Sequence, residues 1–331
     1  MPNPYISGTG FFLPPRVVTN DELSSYMDTT DEWIQERTGI KERRYVEKGV
    51  GPSDLAISAT EQALKAAGLK VSDIDFIIFA TSTPDFYAPG SGCVLQEKMG
   101  FNEIGALDIR VQCSGFIYGL SIAEQYIRTG NFKNILLIGA EVQSTAMNLT
   151  DEGRDTAIIF GDGAGAAIIS ATEENKGILS THMHSEGKYL KELWLEAPAS
   201  NAGHPRITRE VLDEGKQYLK MNGKEVFRHA ITRFPEVINE ALEANNLTSE
   251  NIDLLIPHQA NLRITQMVQK RLGLSNDQVF SNIHKYGNTT AATIPIALAE
   301  AFNEGRIKEG DILVLAAFGA GFTWASAIMK W

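Results

Sequence analysis

Residues 61–78 read "EQALKAAGLKVSDIDFII", and residues 239–256 read "NEALEANNLTSENIDLLI". The two stretches are identical at seven of 18 aligned positions. In each, apolar residues at three- and four-residue spacing predict an amphipathic helix, and a polar turn then leads to a short buried strand. The likeness indicates an internal duplication, with chance similarity of two helix–strand units as the alternative.

A second pair of matching stretches repeats at nearly the same interval. "NILLIGAE" (134–141) resembles "DILVLAAFG" (311–319), and a helix-like run precedes each, over 121–127 and 297–302. A period of about 177 residues is too long for a solenoid repeat. We therefore expect an α/β fold made of two similar halves, with strands in mostly βαβ order.

The expected halves are residues 1–172 and residues 173–331. The polar and irregular stretch at 186–220 has no counterpart in the first half. We expect this excursion to pack over the functional site or between the halves.

Composition narrows the class of protein. The chain of 331 residues is 43% hydrophobic, which is enough for a large core, and its net charge of −11 argues against nucleic acid as the main partner. Two cysteines cannot form a disulfide framework, so we expect a reducing, cytoplasmic compartment. The sequence shows neither a signal-peptide pattern nor an apolar run near the 18 residues that would span a membrane.

Cys113 lies in "DIRVQCSGFIYGLSIAEQYI" (108–127), between a strand predicted over 106–112 and the helix predicted after it. A helix N-terminus carries partial positive charge and free N–H groups, which lower the pKa of a thiol and can hold an oxyanion. The position therefore favours a nucleophile, with a small buried core residue as the alternative.

His258 and Asn288 lie where they could join this cysteine. His258 follows the repeated strand in "LLIPHQANLRI", and Asn288 lies before a helix in "KYGNTTAATIPIALAEAF", at a turn that the duplication makes equivalent to the Cys113 turn. A glycine-rich turn occurs in "LAAFGAGFTWASAIMKW" (315–331). A lone histidine is more often a core or surface residue, so the prediction depends on the whole constellation.

Five motifs, "DEWIQERTGI", "QCSGFIYGL", "PHQANLRI", "KYGNTTAA" and "AFGAGFTW", resemble those of the β-ketoacyl-acyl carrier protein synthase III family, in the same order. Members of this family are the initiating condensing enzymes of type II fatty acid synthesis. The resemblance extends from near residue 5 to the C-terminus. It implies a thiolase-like fold, in which two duplicated halves form a layered α-β-α-β-α core, usually in a homodimer.

The resemblance also implies a mechanism. Cys113 takes the acyl group of a short primer such as acetyl-CoA, and malonyl-acyl carrier protein then loses CO2 to give a carbanion that attacks the acyl-cysteine. The backbone N–H groups of Cys113 and Ala320 would hold the first oxyanion, and His258 and Asn288 the enolate. Ala320 replaces a family glycine, so its N–H serves only if the backbone there suits a residue with a Cβ. No cofactor or metal is implied beyond the two substrates.

Further residues match family positions with binding roles, although a surface aromatic or ordinary solvated charges are the alternatives for several of them. The positions matching the CoA and pantetheine contacts are Thr29, Trp33, Arg37, Arg154, Phe227 and Asn261. The positions matching the acyl pocket are Phe86 and Tyr87. The positions where the family docks the acidic carrier protein are Lys224, Arg228, Arg263, Lys270 and Arg271.

Other classes fit the sequence less well. Cys-His-Asn order is also that of papain-like proteases, but the duplicated α/β pattern opposes this reading. A biosynthetic thiolase needs a second catalytic cysteine near the C-terminus, whereas Cys93 lies in the first half, and no acid/base glutamate of a hydroxymethylglutaryl-CoA synthase was identified. A condensing enzyme with another starter group in polyketide or secondary metabolism stays open. So does a non-catalytic partner subunit, although such subunits typically lose the nucleophile.

Overall fold

The computed structural model describes residues 1–331, which form thirteen β-strands and eleven α-helices. The strands are β1 (Asn3–Phe12), β2 (Arg16–Thr19), β3 (Glu42–Tyr45), β4 (Phe76–Ala80), β5 (Gly105–Ile109), β6 (Asn134–Glu141), β7 (Gly163–Thr172), β8 (Gly177–Ser185), β9 (Leu193–Trp194), β10 (Lys220–Met221), β11 (Leu254–Pro257), β12 (Ile312–Gly319) and β13 (Thr323–Lys330). The helices are α1 (Asn20–Ser24), α2 (Asp31–Thr38), α3 (Pro52–Ala67), α4 (Ser91–Met99), α5 (Gly115–Arg128), α6 (Arg154–Ala157), α7 (Arg209–Asp213), α8 (Gly223–Ala244), α9 (Leu262–Leu272), α10 (Ile283–Tyr286) and α11 (Thr293–Asn303).

Two large sheets dominate the molecule and have matching topology. The first has the strand order β1-β7-β6-β4-β5, and the second has the order β11-β12-β13-β8. In the first, β4 is parallel to β6, and β6 and β1 are antiparallel to β7. In the second, β11 is parallel to β12, and β12 and β8 are antiparallel to β13. The four-strand pattern is thus present twice, with β5 added at one edge of the first sheet.

Parallel strand pairs account for only part of each sheet, because both sheets are mixed. Only β4–β5, β4–β6 and β11–β12 pair in parallel. The strands that carry the rest of each sheet run antiparallel, and β12 turns directly into β13 across three residues. A buried antiparallel strand and a buried parallel strand have the same apolar composition, so periodicity does not separate them.

Helices cover both sheets and also fill the space between them. One core contains apolar residues of α5 and α11 together with residues of both sheets, such as Leu137 and Leu315. A second core packs α3 and α4 on the outer face of the first sheet, and a third packs α8 and α9 on the outer face of the second. The result is the layered α-β-α-β-α arrangement that the resemblance implies. None of the eleven helices combines the length and apolar character needed to cross a membrane.

Candidate active site

Cys113 lies in a 3₁₀ turn, Gln112–Ser114, that leads directly into α5. The preceding strand β5 ends at Ile109, three residues earlier than the sequence predicts. Cys113 is 5% exposed, and the end of β12 approaches it so closely that a Cβ at Gly319 would lie 2.5 Å from the Cys113 Cβ. Glycine is therefore required at 319 to let the two halves meet at the thiol.

The Cys113 thiol is shielded from water, and this burial raises its pKa to about 12. The buried Glu141 carboxyl also contributes to this raised pKa, whereas the backbone N–H groups of Cys113 and Ala320 hydrogen bond to the sulfur and act to lower it. The sequence-based expectation of a lowered pKa is wrong for this state, because desolvation outweighs the helix N-terminus. Cys113 is a thiol at neutral pH and loses its proton only when it reacts.

Ala320 presents its N–H to the sulfur without strain. Its backbone lies outside the left-handed region, which the neighbouring Gly321 occupies with a φ of 137°. The replacement of glycine by alanine at 320 is therefore compatible with a backbone donor at this place.

His258 is the first residue after β11, and its N–H bonds to the Ala316 carbonyl at 2.8 Å. Its Nδ1 lies 2.6 Å from the Thr293 hydroxyl oxygen, while its Nε2 is buried without a partner in the chain. Burial lowers the pKa of His258 to about 3, so the ring is neutral at physiological pH. A neutral, buried ring with one free nitrogen suits hydrogen bonding to a ligand better than carrying charge.

The backbone of Asn288 is held in place by two hydrogen bonds. Its N–H donates to the Ile159 carbonyl at 2.9 Å, and its carbonyl accepts from the Gly161 N–H at 3.1 Å. Its Oδ1 accepts the N–H of Thr290 at 2.8 Å, which leaves Nδ2 without a bond in the chain. The sequence predicts a strand-to-helix turn here, but the residue follows the short helix α10 instead, with a β-bridge to Phe160 supplying the extended segment.

The three residues line one cavity of about 630 Å³. Cys113 also lines a second cavity of about 450 Å³, so it stands where the two spaces meet. The start of α5 lies against the turn that precedes α11, since a Cβ at Gly115 would be 3.4 Å from the Cβ of Ala291. The structure thus brings Cys113, His258 and Asn288 together as the sequence predicts.

The mouth of the first cavity contains Trp33 and two guanidinium groups. Those of Arg37 and Arg154 lie 4.5 Å and 4.8 Å from the centre of the Trp33 ring, within the range of cation–π attraction. Trp33 and Arg154 are thus in direct contact, and the flat ring of a ligand can enter between them only if one of them moves. Trp33 and Arg37 line the cavity, whereas Arg154 and Thr29 are not among the residues that line it.

Phe227 and Asn261 line the same cavity. The Asn261 amide is already used within the chain, because Nδ2 donates to the Arg37 carbonyl at 2.9 Å and Oδ1 accepts the Arg263 N–H at 2.9 Å. Asn261 therefore shapes the wall and caps α9, and one N–H of its amide and one lone pair of its oxygen are used within the chain.

The second cavity is covered by the 186–220 excursion. Seven apolar residues of the excursion line it, namely Leu190, Leu193, Trp194, Leu195, Pro198, Ala199 and Leu219. Tyr87 lines this cavity as well, but Phe86 does not, and its side chain is 57% exposed. The structure therefore does not place Phe86 in the pocket of a single chain.

The five basic residues of the expected carrier-protein surface are all exposed, but they differ in their contacts. Lys224 and Arg263 line the mouth of the first cavity. Arg228 pairs with Glu225 at 2.5 Å, and Arg271 donates to the Ile231 carbonyl. The side chain of Lys270 makes no hydrogen bond or ion pair in the chain, so the free positive charge is concentrated at the mouth and on α9.

Sequence reasoning missed Glu141, the last residue of β6. Its carboxyl is fully buried and accepts hydrogen bonds from the Ser82 and Thr83 hydroxyls at 2.8 and 2.7 Å. Burial raises its pKa to about 7. The signal was an acid at the end of the buried run "NILLIGAE", where a charge is costly unless its hydrogen bonds are satisfied. Its location beside Cys113 could not be read from the sequence.

Comparison with known proteins agrees with this geometry. The 3-oxoacyl-[acyl-carrier-protein] synthase III family matches at residues 107–187, and the C-terminal model of that family matches at 242–331. The chain is 47% identical to the β-ketoacyl-[acyl-carrier-protein] synthase III of Caldanaerobacter subterraneus, over 98% of this chain and 97% of the relative. It is 46% identical to that of Clostridioides difficile, over 98% of each chain.

The crystal structure of 3-oxoacyl-[acyl-carrier-protein] synthase III from Aquifex aeolicus superposes with a TM-score of 0.90 at 41% identity, covering 99% of this chain and 100% of that one. The thiolase-like fold predicted from the motifs is thereby confirmed, and a papain-like protease is ruled out. The chain belongs to the β-ketoacyl-acyl carrier protein synthase III family.

Proposed function

We propose that the protein joins a short acyl-CoA primer to malonyl-acyl carrier protein by decarboxylating Claisen condensation, and so initiates fatty acid synthesis. The product is a 3-oxoacyl-acyl carrier protein. The observation that carries the proposal is the shared cavity wall, in which a buried thiol with two backbone donors stands beside two unpartnered side-chain nitrogens. This is the set of groups that a reaction with two successive oxyanions requires.

The first half-reaction is acyl transfer to Cys113. The sulfur forms a bond to the acyl carbonyl carbon, the bond from that carbon to the CoA sulfur breaks, and the thiol proton leaves with CoA. The N–H groups of Cys113 and Ala320, which bond to the sulfur at rest, are placed to stabilise the carbonyl oxyanion of the intermediate.

The second half-reaction takes place at His258 and Asn288. Malonyl-acyl carrier protein loses CO2, and the charge collects on the thioester oxygen as an enolate. Donation from His258 Nε2 and Asn288 Nδ2 stabilises that oxygen. The enolate carbon then attacks the acyl-cysteine carbonyl, the bond from that carbon to sulfur breaks, and the Cys113 thiolate takes up one proton from solvent.

The entrance serves both substrates in this proposal. Trp33, Arg37 and Arg154 bind the nucleotide end of CoA by stacking and charge. The exposed cations at the mouth and on α9 attract the acidic carrier protein, although the chain as a whole is acidic. Arg228 and Arg271, which already have partners, contribute less than Lys224, Arg263 and Lys270.

The acyl chain of the primer enters the second cavity. An acetyl group fills only a small part of about 450 Å³, so the proposal includes other short primers, branched or straight. Tyr87 borders this space, and Phe86 would reach it only after a movement of its loop.

No cofactor takes part, because every bond change is supplied by the two substrates and the thiol.

The proposed assembly is a homodimer in the cytoplasm. Each chain consists of two halves, residues 1–172 and residues 173–331. Strand β5 lies at the edge of the first sheet and has one neighbour, so its other backbone edge is open to a second strand. Both cysteines are free thiols, in keeping with a reducing compartment.

Intact-protein mass spectrometry tests the proposal. The protein is incubated with acetyl-CoA, branched short acyl-CoAs and octanoyl-CoA, and Cys113→Ala is the control. A Cys113-dependent adduct that disappears when malonyl-acyl carrier protein is added supports the proposal, and its mass identifies the primer. Absence of any adduct contradicts these acyl-CoA donors, favours an acyl-carrier-protein donor or an unusual starter, and leaves the reading as a non-catalytic partner subunit open.

A further inference from the structure

The two ring nitrogens of His258 have different surroundings. Nε2 belongs to the cavity wall and has no partner, while Nδ1 contacts the Thr293 hydroxyl at 2.6 Å. A neutral imidazole carries one N–H, so the contact made by one nitrogen determines what the other can do. The inference rests on the proposed function, in which the ring proton of His258 must lie on Nε2, because only there can the ring donate to the enolate.

The Thr293 hydroxyl has one proton and two neighbouring acceptors. Besides His258 Nδ1 at 2.6 Å, the carbonyl oxygen of Thr290 lies at 3.0 Å. That carbonyl already accepts the backbone N–H of Thr293 and does not depend on the hydroxyl. If the hydroxyl donated to the carbonyl, Nδ1 would hold the ring proton, and Nε2 would repel an oxyanion.

We propose that Thr293 is a positioning residue that donates its hydroxyl proton to Nδ1 and thereby holds His258 in the Nε2–H form. Thr293 is 2% exposed and is the first residue of α11. Its hydroxyl oxygen lies 2.6 Å from Nδ1 and 3.0 Å from the Thr290 carbonyl oxygen, so the contact to the ring is the shorter of the two. Water has little access to the site, so no outside donor replaces it.

The same turn orients the second donor. The N–H of Thr290 binds Oδ1 of Asn288 and so turns Nδ2 away from the backbone. Residues 290–293 therefore determine which nitrogen of each side chain is free to donate. A backbone N–H does this for Nδ2 of Asn288, and a hydroxyl does it for Nε2 of His258. Of these two groups, only the Thr293 hydroxyl can be removed by substitution without altering the backbone.

The kinetic test compares Thr293→Val, which keeps the shape and removes the hydroxyl, with Thr293→Ser, which keeps the hydroxyl. Malonyl-acyl carrier protein decarboxylation should fall about 10- to 100-fold in Thr293→Val, as for other groups that orient a functional histidine. Acylation of Cys113 should change less than about twofold, and Thr293→Ser should retain most of the decarboxylation. Thr60→Val is the matched control, because Thr60 is a fully buried helical threonine whose hydroxyl has no partner.

Unchanged decarboxylation in Thr293→Val, or equal losses in both half-reactions, would overturn the proposal. Nitrogen-15 NMR of histidine-labelled wild-type protein shows which ring nitrogen of His258 carries the proton, and it does not require Thr293→Val to fold. The His258 signals are identified by their absence in His258→Gln, and we expect a protonated Nε2 and a bare Nδ1. A proton on Nδ1 would overturn the proposal even if the wild type condenses its substrates. A wild type that releases no CO2 would overturn the proposed function instead.

Discussion

The floor and the entrance of the first cavity are built in opposite ways. At the floor, Cys113, His258 and Asn288 are all at most 5% exposed, and backbone turns fix each of them. At the entrance, Trp33 is half-buried, Arg37 is exposed, and cation–π contacts supply much of the order. The floor is preorganised for bond changes, and the entrance adapts to a bulky, charged substrate.

The difference teaches where substitutions should affect chemistry and where they should affect binding. Buried, fixed donors act on a charge that develops in the reaction, so their loss lowers kcat. Solvated cations and an aromatic ring bind substrate and transition state alike, so their loss raises KM. Substitutions at the floor should therefore lower kcat and those at the entrance should raise KM. A substitution that breaks this pattern would show that the distinction between the two regions fails.

The largest effect is expected at the floor. His258→Ala or Asn288→Ala should slow malonyl-acyl carrier protein decarboxylation about 100- to 1000-fold, because one donor to the enolate is lost. Acylation of Cys113 by acyl-CoA should continue at a similar rate, since other donors serve that step. Quenched-flow measurement of CO2 release and of the acyl-protein mass distinguishes the steps, and equal losses in both would contradict the assignment.

A strong structural effect is expected where the halves meet. In Gly319→Ala the new Cβ would lie 2.5 Å from the Cys113 Cβ and 2.8 Å from its sulfur. We expect a loss of about 1–3 kcal/mol in the free energy of unfolding, together with loss of acylation. Urea unfolding and the adduct assay check this. Gly187→Ala is the control, because nothing lies within 4 Å of its added Cβ, and a normal acylation rate in Gly319→Ala would show that the floor can adjust.

Burial of His258 should be visible in the pH dependence of stability. Its pKa is about 3 in the folded protein against 6.5 ordinarily, so between these values the unfolded chain binds a proton that the folded protein does not. Stability should therefore fall as pH falls below 6.5, by about 1.4 kcal/mol per pH unit from this group.

The raised pKa of Glu141 acts in the opposite direction, so the comparison is made between wild type and His258→Gln, which share Glu141. From pH 6.5 to pH 5 the wild type should lose about 2 kcal/mol more than the variant in urea unfolding. Parallel losses would show that water reaches the His258 ring.

At the entrance, Trp33→Ala should raise the KM for acyl-CoA about 5- to 30-fold, the equivalent of about 1–2 kcal/mol of stacking and cation–π attraction. The kcat should change little, because Trp33 does not reach the thiol. Steady-state kinetics with varied acyl-CoA measures both constants. A fall in kcat as large as that of His258→Ala would remove the distinction between entrance and floor.

The smallest effect is expected from the cations at the mouth. Lys224→Glu or Arg263→Glu should weaken the use of malonyl-acyl carrier protein a few-fold at low salt, and the difference should shrink as salt rises. Lys308→Glu, on a distant turn, is the control. An effect that does not depend on salt would mean that these residues act by contact and shape instead of by attraction.

The sequence predicted the parts of the fold that repeat. The duplicated helix–strand units were visible at 61–78 and 239–256, and they occupy equivalent layers in the structure. The mixed pairing of the sheets was not visible, because β7 and β13 have the same apolar composition as parallel strands. The boundary between the halves at 172 and 173 stays a prediction.

At the site, the sequence predicted which residues meet but not their protonation. The start of α5 was evident from the pattern around Cys113, but the burial that reverses the direction of its pKa shift was not. Glu141 and Thr293 were missed for the same reason, since their importance comes from neighbours far away in the chain. Phe86 was placed in a pocket by resemblance, while the structure shows it at the surface.

A single-turnover experiment tests the central claim most directly. Protein already acylated on Cys113 and freed of CoA is mixed with malonyl-acyl carrier protein, and CO2, 3-oxoacyl-acyl carrier protein and the remaining acyl-protein are measured over time. We predict that one CO2 and one product form for each acyl group lost from Cys113. Product formed without loss of the acyl group, or an acyl-protein that persists while CO2 is released, would contradict condensation at this site.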